Sequence, residues 1–432
     1  MKDWQSTYKA RTMTAREAVE HIRSGDRVLV GHLIGAPVPI IEAIVENRTA
    51  FRGLVFVHML TSGGQPWGRK EYSEYFTYNA LFLSKETMQG VAENYGDFTP
   101  SHFSEVPALL RTTLKPDVAL IQVSPPDGDG YVCLGLSVDY TLAGAKVART
   151  VIAEVNAQCP RVYGETKMHV SEIECFVETD RDIVSIPPTK ITDVESGIGG
   201  HCAELISDGA CLQLGLGAIP DAVLGFLGDK KDLGVHSEII GDGVANLAKA
   251  GVVNGSRKTT NPGKIVAAGL YGSKALLQYA DSNPTVELYP VDYTNDVRVI
   301  SRNRNVVSIN SCVQVDLTGQ VCSEAIGPTQ ISGVGGQVDF VRGARMSEGG
   351  KSIITCASAA KNGTISKIVP FLDFGAPVTT SRTDVDYIVT EYGVASLRGQ
   401  TLRNRASALI KIAHPKFRDQ LTEEFGKRFA GK

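Results

Sequence analysis

Short apolar runs ended by glycine, proline or aspartate recur along the chain. In the first half they are Arg27-Val28-Leu29-Val30, Leu54-Val55-Phe56-Val57, Val118-Ala119-Leu120-Ile121 and Val151-Ile152-Ala153. Later come Leu212-Gln213-Leu214, Ile265-Val266-Ala267, Val306-Val307-Ser308-Ile309 and Tyr387-Ile388-Val389. Such runs suit strands buried on both faces of a parallel sheet. Amphipathic stretches separate many of them. The one from Thr14 to Ile22 opens with Thr14 as a helix cap and Glu17 three residues on. The alternation predicts α/β architecture. Ile186-Pro187-Pro188-Thr189 interrupts it, since a proline pair continues neither a helix nor a central strand, and strand–helix alternation restarts at about Glu204. A chain of 432 residues exceeds one ordinary core, so two domains are expected, 1–188 and 189–432.

Glycine turns supply the candidate chemistry. Cys211-Leu212-Gln213-Leu214 reads as a strand running into Gly215-Leu216-Gly217-Ala218-Ile219-Pro220. Pro220 fits the first turn of a helix that Gly228 would stop. A strand–glycine–helix junction turns backbone N–H groups outward at a positive helix end, which favours anions. Tight turns need glycine for geometry alone, so both readings stand; the string lacks the third glycine of the dinucleotide fingerprint. Gly333-Val334-Gly335-Gly336 is a second cluster, either a source of close-approaching amides or a simple bend.

Between the clusters lies Leu233-Gly234-Val235-His236-Ser237-Glu238-Ile239-Ile240. If residues 234–239 are extended, His236 and Glu238 share a face, and Glu238 stands near the C-terminal edge of a parallel strand, where α/β sheets bind ligands. Asp242 would cap the following helix. Ser-Glu occurs six times, at Glu74, Glu105, Glu172, Glu238, Glu324 and Glu348, and an arbitrary glutamate is a solvated charge. Glu391, at the end of Tyr387-Ile388-Val389-Thr390, is a rival carboxylate. His32, His58 and Met59 follow or end first-half strands and could line a cleft or pack in a core. Lys361, in Lys361-Asn362-Gly363, could meet a phosphate or simply face solvent.

Composition narrows the field by exclusion. A net charge of -3 gives no reason to invoke nucleic acid or an anionic membrane. No apolar run approaches the roughly 20 residues of a membrane span, and Met1-Lys2-Asp3-Trp4-Gln5 reads as a mature cytoplasmic start. The eight cysteines form no Cys-x-x-Cys pair and the histidines no His-x-x-x-His spacing. Reduced core thiols, and no metal site, are expected.

In order and spacing, these strings resemble the acetyl-CoA hydrolase/transferase family, most closely its four-carbon branch of 4-hydroxybutyrate and butyrate CoA-transferases. The resemblance runs from Trp4 and Tyr8 through Ser124-Pro125-Pro126-Asp127, Ala153-Glu154-Val155-Asn156, the turn from Gln213 to Pro220 and His236-Ser237-Glu238. It continues through Ser332 to Phe340, Ser366-Lys367-Ile368-Val369-Pro370 and Asp386 to Gly393. It implies two similar open α/β domains of the NagB/RpiA/CoA-transferase-like kind, with the active site in the cleft between them. It matches Glu238 to the family's nucleophile. Gly215, Leu216, Gly217, Ala218, Ile219, Gly333, Gly335, Gly336 and Lys361 become the expected contacts of coenzyme A. Gln213, His32, His58 and Met59 become expected acyl-pocket residues. The substrates implied are acyl-CoA and short-chain carboxylates, with no tightly bound cofactor, in a homodimer or higher oligomer. Two alternatives stay open: an acyl-CoA hydrolase on the same fold, and a CoA-binding sensor that leaves Glu238 unused.

Overall fold

The computed structural model describes residues 4–183 and 190–429; the expected break at Ile186-Pro187-Pro188-Thr189 and the first three residues lie outside them. The described residues form two compact units. The first runs to Ile183 and also takes in Glu238–Asp242 and Val266–Thr294, segments from far along the sequence. The second holds the remainder.

In the first unit seven strands build an all-parallel sheet. Their spatial order is Cys175–Thr179, Thr150–Asn156, Val118–Val123, Arg27–Val30, Leu54–His58, Phe76–Ala80 and Asp97–Phe98. Arg27–Val30, the earliest in the chain, lies at the centre. The next three strands extend the sheet to one side and the later three to the other, so the wiring reverses beside Arg27–Val30. Such a reversal opens a crevice at the C-terminal ends of the central strands. Every residue of Val118–Val123 and of Thr150–Asn156 is buried, as a sheet covered on both faces requires. Phe56 stacks on Trp67 at 4.4 Å and meets Phe76 edge-on at 5.5 Å.

The second unit repeats this logic. Its strands follow the order Gly393–Ser396, Tyr387–Thr390, Lys351–Thr355, Val306–Ser311, Cys211–Leu214 and Gly234–His236. All pairings are parallel except the Tyr387–Thr390/Gly393–Ser396 hairpin. Cys211–Leu214 again comes first in sequence and is flanked by its successor on one side and a later strand on the other.

The apolar-run reading finds the central strands and misses others, three of them five residues long. Phe76–Ala80, Cys175–Thr179 and Lys351–Thr355 carry polar residues within their runs. Phe76–Ala80 alternates buried and half-buried positions, a period-2 pattern that a search for continuous apolar runs passes over. Thr14 caps its helix as expected: it exchanges hydrogen bonds with Glu17, although the α-helix covers only Ala15–Ala18 before tightening to 3-10 geometry at Val19–His21.

All eight cysteines are free and buried. Desolvation pushes the thiols of Cys175 and Cys211 up to about 11 and that of Cys202 up to about 12. No helix among the described residues is long and apolar enough to cross a membrane.

Leu120 is fully buried in the strand beside the switch point. Leu120→Ala should cost about 2–5 kcal/mol, the range for a large-to-small core substitution. The check is the first transition of a urea titration; a loss under about 1 kcal/mol would contradict the sheet's two-sided burial.

Candidate active site

Glu238 does not continue a strand. The strand Gly234–His236 ends, the chain bends at Glu238, and pairing resumes at Ile239–Ile240 against Gly269–Leu270. The expected extended run through 239 is therefore broken just before the glutamate, so strand alternation does not relate Glu238 to His236. The main-chain carbonyl of Glu238 accepts the N–H of Ala268 at 2.7 Å and of Gly269 at 3.2 Å. On its other side, the 268–270 segment bonds to residues 136–138: Val138 donates to Ala268 and Leu270 to Leu136. A Cβ at position 269 would lie 3.1 Å from Ile239 Cδ1 and 3.2 Å from the Leu136 carbonyl, so close approach calls for glycine there. Glu238 itself is half-buried.

The other Ser-Glu glutamates fall elsewhere. Glu74, Glu105, Glu172 and Glu348 are exposed; Glu348 pairs with Arg304 at 3.0 Å and Glu172 caps the His169 N–H at 2.9 Å. Glu324 is buried at 5% exposure. The rival Glu391 accepts the N–H of Ser358 at 2.8 Å and its hydroxyl at 2.6 Å, so both of its oxygens serve the loop after Lys351–Thr355.

His32, His58 and Met59 come together in the first unit, at the C-terminal ends of neighbouring strands. The loops beyond those strands join through the Leu33 N–H on the Leu60 carbonyl at 2.8 Å. Tyr140 ties the group: its hydroxyl accepts the Met59 N–H at 3.3 Å and donates to the Val30 carbonyl at 2.9 Å, and its ring stands 5.5 Å from that of His32. His32 Nδ1 lies 2.6 Å from Asp139, which is fully buried and also takes bonds from the Ser137 hydroxyl and the Thr141 N–H and hydroxyl. Burial alone would raise the Asp139 carboxyl. His32 beside it, with the bonds from Ser137 and Thr141, holds it below the ordinary carboxylate value. Ser137 in turn bridges to Gly269, so bonded residues run from His32 to the main chain of Glu238. Asp139, Ser137 and Tyr140 were not singled out in the sequence; the capping pattern Asp139-Tyr140-Thr141 was the available signal.

His58 is fully buried and donates from Nδ1 to the Met59 carbonyl. Its Nε2 has no hydrogen-bond partner among the described residues, and neither has Nε1 of neighbouring Trp67. Desolvation drives the imidazole down to about 4.

The remaining candidates lie in the second unit. Gly217, at φ 116, opens the helix Ala218–Gly225 with no side-chain cap. Its first-turn N–H groups therefore have no partner within the helix. Pro220 sits third in that helix, and the helix ends at Gly225 rather than at Gly228. Gly336 opens Gln337–Met346 in the same uncapped way, preceded by Gly335 at φ 57, so the second cluster is a helix entry rather than a sheet bulge. Gln213 exchanges amide bonds with Asn310 at 3.2 and 3.0 Å, on the strand beside it. Lys361 is exposed in a tight hairpin at φ 47, followed by Asn362 at φ 56. Asp242, back in the first unit, begins its helix instead of capping it, and its side chain accepts from the Ser273 N–H at 2.8 Å.

The acetyl-CoA hydrolase/transferase N-terminal domain model matches residues 1–188 and the corresponding C-terminal domain model residues 272–425. The chain belongs to that family. It is 54% identical to a 4-hydroxybutyrate coenzyme A transferase of Clostridium kluyveri, over 99% of this chain and 100% of the relative. It is 36% identical to a butyryl-CoA:acetate CoA-transferase of Anaerostipes caccae, over 98% of each. The solved structure of a 4-hydroxybutyrate CoA-transferase from Porphyromonas gingivalis superposes with a TM-score of 0.86 at 43% identity, over 99% of this chain and 100% of that one. The resemblance read from the sequence holds, and the chain is an enzyme of the CoA-transferase class with CoA thioesters as its substrates.

The buried neutral His58 gives the enzyme a pH signature. Below about 6.5 the unfolded chain binds a proton that the folded chain refuses until about 4. Stability should be complete above that window and lost as pH falls through it, by roughly 3 kcal/mol in full. A His58→Gln variant should lack this part of the slope when urea midpoints are measured from pH 7 to 4. Equal slopes would contradict the assignment.

Proposed function

We propose that this enzyme moves CoA between acetyl-CoA and a four-carbon carboxylate, 4-hydroxybutyrate or butyrate, with Glu238 as covalent carrier. What carries the reading is full-length similarity to transferases named for these acids, joined to a half-buried glutamate on a main chain fixed by two N–H donors.

The carboxylate of Glu238 attacks the thioester carbonyl of acyl-CoA, giving an acyl-glutamyl anhydride and CoA thiolate. The thiolate attacks the glutamyl carbonyl of that anhydride, expelling the first carboxylate and leaving a glutamyl-CoA thioester. A second carboxylate reverses both steps and leaves as the new acyl-CoA. Covalent carriage divides one difficult transfer into easier ones. Each tetrahedral intermediate develops an oxyanion that fixed donors must meet. The segments Gly215 to Ile219 and Gly333 to Gly336 are the suppliers we propose, because both open helices whose first N–H groups lack side-chain caps. Lys361 is proposed as a phosphate contact. His32, His58 and Met59 are proposed as walls of the acyl pocket, supported by their convergence at adjacent strand ends. Gln213 is proposed as a further acyl-pocket residue with less freedom, since Asn310 holds its amide.

Glu238→Ala should lower acetyl-CoA exchange by roughly four orders of magnitude, as loss of a covalent nucleophile does. Wild-type enzyme incubated with acyl-CoA and then borohydride should be inactivated as its glutamyl thioester is reduced, and the variant should take no label. Full exchange activity in Glu238→Ala would sink the mechanism. A hydrolase would consume acyl-CoA with no acceptor acid present.

The choice of acid is read from kcat/KM across a panel of acceptors. A pocket that bonds the 4-hydroxyl should reject butyrate by well over about 100-fold, and an apolar pocket should separate the two acids by no more than about 100-fold.

A further inference from the structure

Glu324 is nearly all buried, yet among the described residues it pairs with no cation. Its oxygens accept from two neutral donors: the Gln330 amide at 2.9 Å and the Thr379 hydroxyl at 2.7 Å. A buried carboxylate without a countercharge is costly, and an apolar side chain of similar size would fill the space more cheaply. What it holds is the entry to the second glycine segment. The Glu324 carbonyl accepts the N–H of Ile331 at 2.9 Å and of Ser332 at 3.1 Å. Gln330, held by the carboxylate, also donates to the Ser332 carbonyl at 3.1 Å. The exit is held by the same stretch of chain, for Gln337 donates to the Ser323 hydroxyl at 2.9 Å and the Thr380 hydroxyl at 3.0 Å. Thr379 closes the network by accepting the Ser323 N–H at 3.0 Å while donating to Glu324.

We propose that Glu324 is a positioning residue that sets the main chain of Gly333 to Gly336 through Gln330 and Ser332. The proposal rests on the reading above, in which amides of that segment face the developing oxyanion. Proton accounting makes the carboxylate specific. Thr379 and Gln330 each present a proton, so both Glu324 oxygens must accept. Glu324→Gln puts an NH2 where one acceptor stood: facing Gln330 it makes that amide turn or withdraw, and facing Thr379 it makes that hydroxyl accept where it donated. Where Gln330 is displaced, the Ser332 carbonyl loses its donor and the glycine amides shift relative to the reacting atoms.

The test compares Glu324→Gln and Gln330→Met with wild type in acetyl-CoA exchange, alongside thermal unfolding and borohydride trapping. Gln330→Met removes the same link without burying an unmatched amide, so it reports on the loop even if Glu324→Gln folds poorly. Both variants should lose about 10- to 100-fold in kcat with KM for acyl-CoA within about twofold, the signature of donors misplaced in the transition state. Both should still be inactivated by borohydride, more slowly, because Glu238 remains. Folded variants that keep wild-type kcat, or that raise KM with kcat unchanged, would overturn the assignment. Glu238→Ala runs in parallel: if it keeps exchange activity, the reading of the nucleophile fails instead.

Discussion

The carbonyl of Glu238 takes two N–H donors, from Ala268 and Gly269. Three chain segments meet at that point: residues 136–138, 238–240 and 268–270 lie side by side, with a glycine at 269 where a Cβ would be crowded by Ile239 and Leu136. A main chain bonded in this way has little freedom, so the glutamate it carries is placed by neighbours far away in sequence. Ser137 belongs to this junction and to the Asp139–His32 pair. The proposed carrier and the groups proposed to shape the acyl pocket thus share one framework inside the first unit.

The second unit contributes a different physical device. Both glycine segments deliver the chain into a helix with no serine, threonine, aspartate or asparagine at the cap. An ordinary cap would spend the first N–H groups on a side-chain oxygen. Glycine leaves them available and adds no Cβ to obstruct approach, and the helix dipole makes the same point favourable for negative charge. Such an end is a poor way to stabilise a helix and a good way to meet thioester oxygens or phosphates.

Much of this was legible in the sequence, unevenly. The central strands could be read because a sheet covered on both faces demands unbroken apolar runs, as at Val118–Val123. Phe76–Ala80 was hidden because partial exposure lets polar residues alternate. The helix entry after Gly215 followed from local turn chemistry. The bend at Glu238 did not, because it is imposed by pairing with residues 269–270, about thirty positions on, which no local pattern encodes. The same holds for Glu324, indistinguishable in sequence from five other Ser-Glu glutamates; only burial and its three-way network set it apart. Family resemblance, rather than periodicity, was what raised Glu238 above Glu391.

The burial of all eight cysteines has a chemical meaning in an enzyme whose substrates are thioesters. A thiolate at the surface would exchange with acyl-CoA and divert the acyl group onto sulfur. Only the ionised form attacks, and desolvation that lifts Cys175, Cys202 and Cys211 to about 11 or 12 leaves almost none of it at neutral pH. The apolar interior thereby acts as a chemical insulator for these three thiols, which are kept from competing with the one that coenzyme A brings.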